Sequence, residues 1–572
     1  MTSTFSTLQL GDDINTDDII PAKRCTSSDP THLQQYAFEH IIGINALQNY
    51  NQIQAGRNFG CGSSREHAAI AIKSSGIQEV QAESFAEIFY RNSINIGLPL
   101  KFTQGNQADP VVDEIISAGG LISFNQKRQV NALTIPPSPT GKRGMTLAEK
   151  LLATASGNQY VQAGETVFIE VDLAMSHDAV AGPVAQVFYE NFGDDARVWN
   201  AKQVVLVADH FIQTQEIRTD AKAPLLYQKM VEFAQHQGCH LLDIVSPGEA
   251  AGICHVLLPE EGYIHPGMII AGTDSHTCTY GAFGCFSTGV GTTDMANIFA
   301  MGDMWVRVPQ TLLFELNGTL QRNVCAKDIM LFILKQIGCD GATGKVMEFR
   351  GSVINQMPME ERMTLSNMAI EAGAMCGLIP YDATTQAYLN EAGSIEDKAI
   401  HSDADADFAE IYRWDLSELR PQVAQPPKPD QVVSVEELHD TPITRAFIGS
   451  CTGGKLFDLV EASKILKDHK VASNVDLFIV PASQKVRQQA EEMGVWKILQ
   501  EAGATLLKSG CGACINAGPG GLKKDEVGIY ATNRNFKGRS GDPTGLNYLA
   551  SPRTVAISSV KGMISATWEE ES

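Results

Sequence analysis

The chain alternates short apolar runs with polar, glycine-bearing turns, and the period of the apolar positions changes along it. Up to about residue 125, strand-like and helical patches follow one another. Gly11 to Ile20 reads as a polar turn entering a short strand that Pro21 ends. Gly56 to His67 is a glycine-rich turn, and the apolar stretch Ala68 to Lys73 after it is helix-like. Ile135 to Gly144 is proline-rich and polar, the signature of an interdomain linker too stiff to fold back. Thr146-x-x-Glu149 is a capping box that opens a helix through Leu151 and Leu152 to Gly157.

Beyond that helix, strands and helices alternate, which predicts parallel sheets covered by helices. Three apolar strands run straight into a reactive cluster. Val204-Val205-Leu206-Val207 leads to Asp209-His210, and Met268-Ile269-Ile270-Ala271 leads to Gly272-Thr273-Asp274-Ser275-His276-Thr277. Ala446-Phe447-Ile448 leads to Gly449-Ser450-Cys451-Thr452, with a helix expected from about Leu456. Ligands of open α/β sheets bind beyond the carboxyl ends of strands, so these ends are the candidate site. A second proline-rich passage, Pro421 to Pro429, separates an acidic stretch from a last α/β region. There is no internal repeat at fixed period.

Composition narrows the class. A chain of 572 residues exceeds the size of one core and predicts three or four domains. The net charge of -22 disfavours nucleic acid or an anionic membrane as a partner. An anionic substrate would therefore need a local island of arginines. Twelve scattered cysteines form no disulfide framework and suit a reducing compartment. Met1 to Phe5 carries no secretory pattern, and no apolar run approaches the roughly 20 residues of a membrane helix. The expectation is a soluble cytoplasmic protein.

Cys511-Gly512-Ala513-Cys514 fits a redox pair, half a zinc site or part of an iron–sulfur site. A second C-x-x-C or a matching histidine pair for zinc is missing. With Cys451 at a strand end, three thiolates fit a [4Fe–4S] cube that keeps one iron without a protein ligand. The histidines add weight. His177-Asp178, Asp209-His210, His255 and Asp274-Ser275-His276 lie in one α/β block, where carboxylates set the charge and tautomer of imidazoles. Just after the cysteine pair, Asn533-Arg534-Asn535-Phe536-Lys537-Gly538-Arg539 concentrates three cations, a carboxylate clamp in an acidic chain. In the N-terminal part, Gly62-Ser63-Ser64-Arg65 before a helix start offers backbone N–H groups and a guanidinium to an anion.

These stretches together resemble the aconitase superfamily, specifically its 3-isopropylmalate dehydratase and homoaconitase branch. The resemblance rests on Asn58 to Ala68, Gly272 to Thr277, Ile448 to Thr452, Cys511-x-x-Cys514 and Asn533 to Arg539, and it spans nearly the whole chain. It implies an α/β architecture of three α/β/α domains carrying an iron–sulfur cluster, at residues 145–308, 309–430 and 431–572. A mobile N-terminal β/α swivel domain, residues 1–130, would be fused ahead of them through a linker at 131–144. In the branch that domain is usually a separate small subunit.

The resemblance also implies roles. Cys451, Cys511 and Cys514 would hold a [4Fe–4S] cluster with one open iron site. Ser63 would remove the Cα proton, with Ser64 and Arg65 supporting it and gripping a substrate carboxylate. Asp209-His210 would protonate the leaving hydroxyl, and His255, Asp274, His276 and Glu371 would order water and hydroxyl. Arg534, Arg539, Asn533, Ser275, His177 and Asp178 would contact substrate. The implied activity is a hydro-lyase and isomerase of amino-acid biosynthesis that moves the hydroxyl of a 2-substituted malate to the 3-position. Its substrate would be a small hydroxy di- or tricarboxylate.

Three departures stand out. Gly453 replaces an asparagine common after the cluster Cys-Thr, and His177-Asp178 stands where aconitase itself has a glutamine. The loop that senses the malate substituent, usually beginning Tyr-Leu, reads Arg24-Cys25-Thr26-Ser27. Arg24 suits a third carboxylate, as in homoaconitase, while Cys25 and Thr26 leave room for a bulky alkyl or aryl group, as in benzylmalate. A cluster-free RNA-binding regulator and a plain electron carrier are the competing classes. The acidic charge opposes the first, and the full acid–base set opposes the second.

Overall fold

The computed structural model describes residues 6–21, 24, 29–62, 66–103, 109–130, 138, 140–393, 399–438 and 440–567. Four larger sheets, all mixed with helices, organise the chain, and among the described residues no helix is long and apolar enough to cross a membrane.

The N-terminal sheet pairs Thr7–Gln9, Gln52–Gln54, Glu79–Ala82 and Leu100–Phe102 in that order, all parallel. Helix His67–Ser74 follows the glycine-rich turn as its apolar pattern predicts. Gly60 in that turn has φ +83°, and a Cβ there would lie 2.2 Å from the Phe89 ring, so only glycine fits. The stretch before Pro21 is not a strand. It is a short helix, Thr16–Ile19, because Asn15 and Asp18 form a reciprocal capping box and fix the turn locally.

Of the proline-rich stretch after residue 130, residues 131–137 and 139 lie outside the described residues. Ser138 is bound to the next unit: its N–H donates to Asn158 Oδ1 at 2.9 Å and its Oγ to Glu165 at 2.7 Å. The predicted capping box at Thr146 and Glu149 opens helix Leu147–Ala155. At Pro421 to Pro429, strand Gln422–Ala424 pairs antiparallel with Val432–Ser434, so this passage carries a strand of the last sheet. Its prolines flank the strand, where no ladder N–H is needed.

Two sheets position the site. The first runs Phe286–Gly289, Ile269–Gly272, Leu173–His177, Val204–Val207, His240–Leu242, all parallel. Sequence order reverses between Leu173–His177 and Ile269–Gly272, and such a switch point opens a crevice at the strand ends. The last sheet has the same reversal. Arg445–Ile448 and Val527–Tyr530 are neighbours there, so Cys451 and Thr532 leave adjacent strands. Between these two lies a third parallel sheet, Cys376–Leu378, Lys345–Arg350, Gln310–Asn317, Glu410–Asp415.

Candidate active site

At the first switch point, three strand ends deliver His177, Asp209-His210 and Asp274 side by side. Asp178 fixes the neighbouring loop: its carboxylate accepts the N–H groups of Asp209, His210 and Phe211 at 3.1, 2.8 and 2.7 Å. His210 then spans two carboxylates, with Nδ1 2.5 Å from Asp209 and Nε2 3.2 Å from Asp274. Burial opposes a charged ring, but these two acids outweigh it and hold His210 well above its ordinary value. The His177 ring stacks on His210 at 3.7 Å between centroids. Burial, together with the charge on His210, pushes His177 down to about 3, so one ring of the stack is neutral.

Asp274 collects more than His210. It caps the 3₁₀ helix Ser275–Phe283, accepting the His276 N–H at 2.7 Å, and it accepts from His255 Nε2 at 2.8 Å. Burial pushes its carboxyl up, and the hydrogen bonds from His210, His255 and His276 override that and hold it well below the usual range. His276 passes the chain on: its Nε2 lies 2.9 Å from Glu371, which pairs with Arg534 Nε at 2.9 Å. Ser275 Oγ lies 3.4 Å from His276 Nδ1.

The three cysteines close the other side. All are buried free thiols. Ser450 takes φ +68° between the strand end and Cys451, while Gly510 and Gly512 take φ +144° and +57° on either side of Cys511. The Cys511 turn docks on the acid–base loop: Cys511 N–H donates to Asp209 O at 3.4 Å, and Gln213 Nε2 to Ser509 O at 3.4 Å. Asn533 bridges two thiols, with Oδ1 3.3 Å from Cys514 Sγ and Nδ2 3.5 Å from Cys451 Sγ. Burial pushes Cys451 up to about 12 and holds Cys511 well above the ordinary thiol value. Gly453 is sterically required here, because a Cβ would fall 2.4 Å from Ala531 O.

Sequence reasoning missed Asn367, Lys327 and Lys455. Asn367 donates to Cys451 Sγ at 3.2 Å and to Thr279 at 2.7 Å, and its Oδ1 accepts from Asn533. Asn367 stands in the same short stretch as Glu371, which was the available signal. The lysines approach the cysteine turn from behind. Ser63, Ser64 and Arg65 lie outside the described residues. Their flank Glu66 is anchored, its carboxylate accepting the Thr293 N–H at 2.8 Å and the Thr293 hydroxyl.

Three predicted contacts stand apart from this chain of bonds. Arg24 is engaged elsewhere: Nε and Nη2 pair with Glu39 at 3.1 and 3.0 Å, and the guanidinium lies 3.9 Å over the Tyr36 ring. Arg539 Nε, like both His177 nitrogens, is buried without a partner among the described residues. Two groups bring ligand atoms within 4.8 Å of one another, His177/Asp178/Asp209/His210 and His255/Asp274/His276. In the first, the donor atoms are already spent on hydrogen bonds: His210 on Asp209 and Asp274, and Asp178 on three backbone N–H groups. It is built to hold protons.

Comparison with known proteins matches this sequence to a family. The model of the aconitase family (aconitate hydratase) matches residues 149–442 and 436–562, and that of the aconitase C-terminal domain matches residues 44–105. The match to the C-terminal domain therefore precedes the main one in this chain. The probable methanogen homoaconitase large subunit of Methanothermobacter thermautotrophicus is 42% identical over 74% of this chain and 98% of its own length. The probable 3-isopropylmalate dehydratase large subunit of the same organism is 41% identical over 73% and 98%. The chloroplastic 3-isopropylmalate dehydratase large subunit of Arabidopsis thaliana is 40% identical over 75% and 87%. The chain belongs to the aconitase family.

Proposed function

We propose that the protein is a hydro-lyase and isomerase that dehydrates a 2-substituted malate and rehydrates it as the 3-hydroxy isomer, with 2-isopropylmalate as its substrate. One observation carries this reading: the proton array running from His210 through Asp274 and His276 to Glu371 joins, through Arg534 and Asn533, a set of buried thiols. Dehydration of a hydroxy acid needs these parts together. A proton α to a carboxylate is weakly acidic, and hydroxide leaves poorly unless it is protonated and held.

Cys451, Cys511 and Cys514 would hold a [4Fe–4S] cluster, which when bound supplies an open iron as a Lewis acid. The donor set fits. Two amide N–H groups, from Asn367 and Asn533, point at Cys451 Sγ, which suits a thiolate. Cys451 and Cys511 are raised by burial, so their ionisation needs a cation in the cage.

The chain's own groups then divide the work. His210 is held protonated by its two acids and would deliver its Nε2 proton, which it shares with Asp274, to the leaving hydroxyl, with Asp209 fixing its ring through Nδ1. His255, His276 and Glu371 would orient the water that returns. Arg534 uses Nε on Glu371 and presents its terminal nitrogens to a substrate carboxylate, with Arg539, Ser275 and the unpartnered His177 nitrogens alongside. Ser63 would take the Cα proton, supported by Ser64 and Arg65. The unit formed by residues 1–130 would be the swivel domain closing over this site.

The pairing of Arg24 with Glu39 and Tyr36 supports an uncharged substituent over a third carboxylate. The homoaconitase name of one relative keeps a tricarboxylate as the second reading. The test is to incubate anaerobically reconstituted protein with 2-isopropylmalate, homocitrate, citrate and 2-benzylmalate and to follow enoic-acid absorbance. Turnover of 2-isopropylmalate above the rest is expected. Preference for homocitrate would replace the substrate, and turnover of none would end the enzymatic reading.

A further inference from the structure

Behind the Cys451 turn, two lysines are buried where the apolar helix pattern gives no reason for them. Lys455, which precedes helix Leu456–Leu466, donates Nζ to Cys451 O at 3.1 Å and Thr364 Oγ1 at 2.9 Å, and pairs with Asp458 at 3.0 Å. Lys327, in helix Ala326–Ile337, donates Nζ to Thr452 Oγ1, Ala531 O and Thr532 O at 3.0, 2.8 and 2.7 Å. Each nitrogen meets three acceptors. An ammonium has three N–H donors, and three oxygens around each nitrogen satisfy all of them.

The two lysines differ in compensation. Lys455 has Asp458. Lys327 is 1% exposed, its three acceptors are neutral, and no carboxylate pairs with it among the described residues. A buried charge without a counter-charge is costly, and folds keep one only where something of opposite sign arrives. Its bonds also point to where. They tie the Cys451–Thr452 turn to Ala531–Thr532, the segment that delivers Asn533 onto the Cys451 and Cys514 thiols and Arg534 onto Glu371.

We propose that Lys327 is the built-in counter-charge of the cluster cage: its ammonium offsets the negative charge of three thiolates, raises the cluster's reduction potential and slows cluster loss, while its three bonds lock the Cys451 turn to the Ala531–Thr532 segment that carries Asn533. Lys327 is a positioning residue, since it touches neither thiol nor substrate. The inference rests on the cluster assignment to Cys451, Cys511 and Cys514 made above.

The test compares anaerobically reconstituted wild type, Lys327→Met and Lys327→Arg. The readouts are the midpoint potential from an EPR-monitored titration and the rate of cluster bleaching by a chelator. Lys327→Met is expected to shift the midpoint to more negative values and to lose its cluster several times faster, with Lys327→Arg close to wild type. A loaded Lys327→Met with the wild-type midpoint overturns the proposal. If Lys327→Met does not load, a Lys327→Arg protein that loads normally supports the charge, and one that also fails overturns it in favour of packing. A wild type that takes up no cluster refutes the cluster assignment itself, a separate result.

Discussion

Asp274 is the residue on which the proton array turns. One carboxylate receives His210, His255 and the His276 N–H, so its charge sets the protonation of its neighbours. Asp274→Asn replaces half of that acceptor with an NH₂ donor facing rings that already donate. We expect kcat for 2-isopropylmalate to fall about 10³-fold with the fold retained, checked by steady-state rates and thermal melting. The pH profile carries the sign. In the proposed mechanism His210 is the protonated acid, held above its ordinary value partly by Asp274, so activity should be lost as pH rises through the raised value. Without Asp274 the alkaline limb should move to lower pH; an unmoved limb would remove Asp274 from the array. At this scale much was legible in the sequence, because an acid next to a histidine at the end of an apolar run is a local signal. Asn367 and Lys327 were not, since a polar residue among other polar residues of a helix looks like a solvated position until its neighbours are known. Arg24 stayed open in the sequence, because its partners Tyr36 and Glu39 lie well beyond it along the chain and no periodicity announces their meeting.

At the scale of elements, the alternation of strands and helices predicted parallel sheets, and strand order then decided which ends meet. That order is not encoded in periodicity, so the switch points between Leu173–His177 and Ile269–Gly272 and between Arg445–Ile448 and Val527–Tyr530 had to come from the structure. The same holds for the contact that carries the Ser63–Arg65 segment. Glu66 caps helix Thr292–Met301 through Thr293, joining the N-terminal unit to the first large sheet. Burial raises Glu66 from 4.5 to about 7, against the hydrogen bonds from Thr293. For a carboxylate raised on folding, the stability it contributes is present below the unfolded value and lost as pH rises through the folded one. Wild type should therefore lose about 2–3 kcal/mol between pH 4.5 and 7 at this site. Glu66→Gln should flatten that part of the curve, read as urea midpoints across the window. Equal slopes in both proteins would show that Glu66 ionises freely.

For the whole molecule, the question is which side of the N-terminal unit opens to admit substrate, and magnitudes decide it. On one side the contacts are buried: Arg91 forks onto Asp294 at 2.8 and 3.1 Å, lies 4.3 Å over the Trp305 ring, and Asn125 bonds Asn297. Breaking a buried pair by removing one partner costs about 3–5 kcal/mol. On the other side, toward the last two sheets, Lys428 meets Asp13 at 3.4 Å and Arg57 meets Asp340 at 3.8 Å, all in contact with solvent. Exposed pairs are worth about 0.2–1 kcal/mol each and are screened by salt. On the proposed swivel reading, the buried side would be the hinge and the ion-pair side the latch, and closure over the site would be the cheap motion. Lys428→Glu puts a like charge against Asp13 and should raise KM about two- to fivefold while kcat holds. Raising salt from about 0.05 to 0.5 M should raise wild-type KM similarly and leave the variant nearly unchanged, because its latch is already open. A variant whose KM matches wild type at low salt would show that the unit does not open on this side, and the buried Arg91–Asp294 contact would then have to be the one that parts.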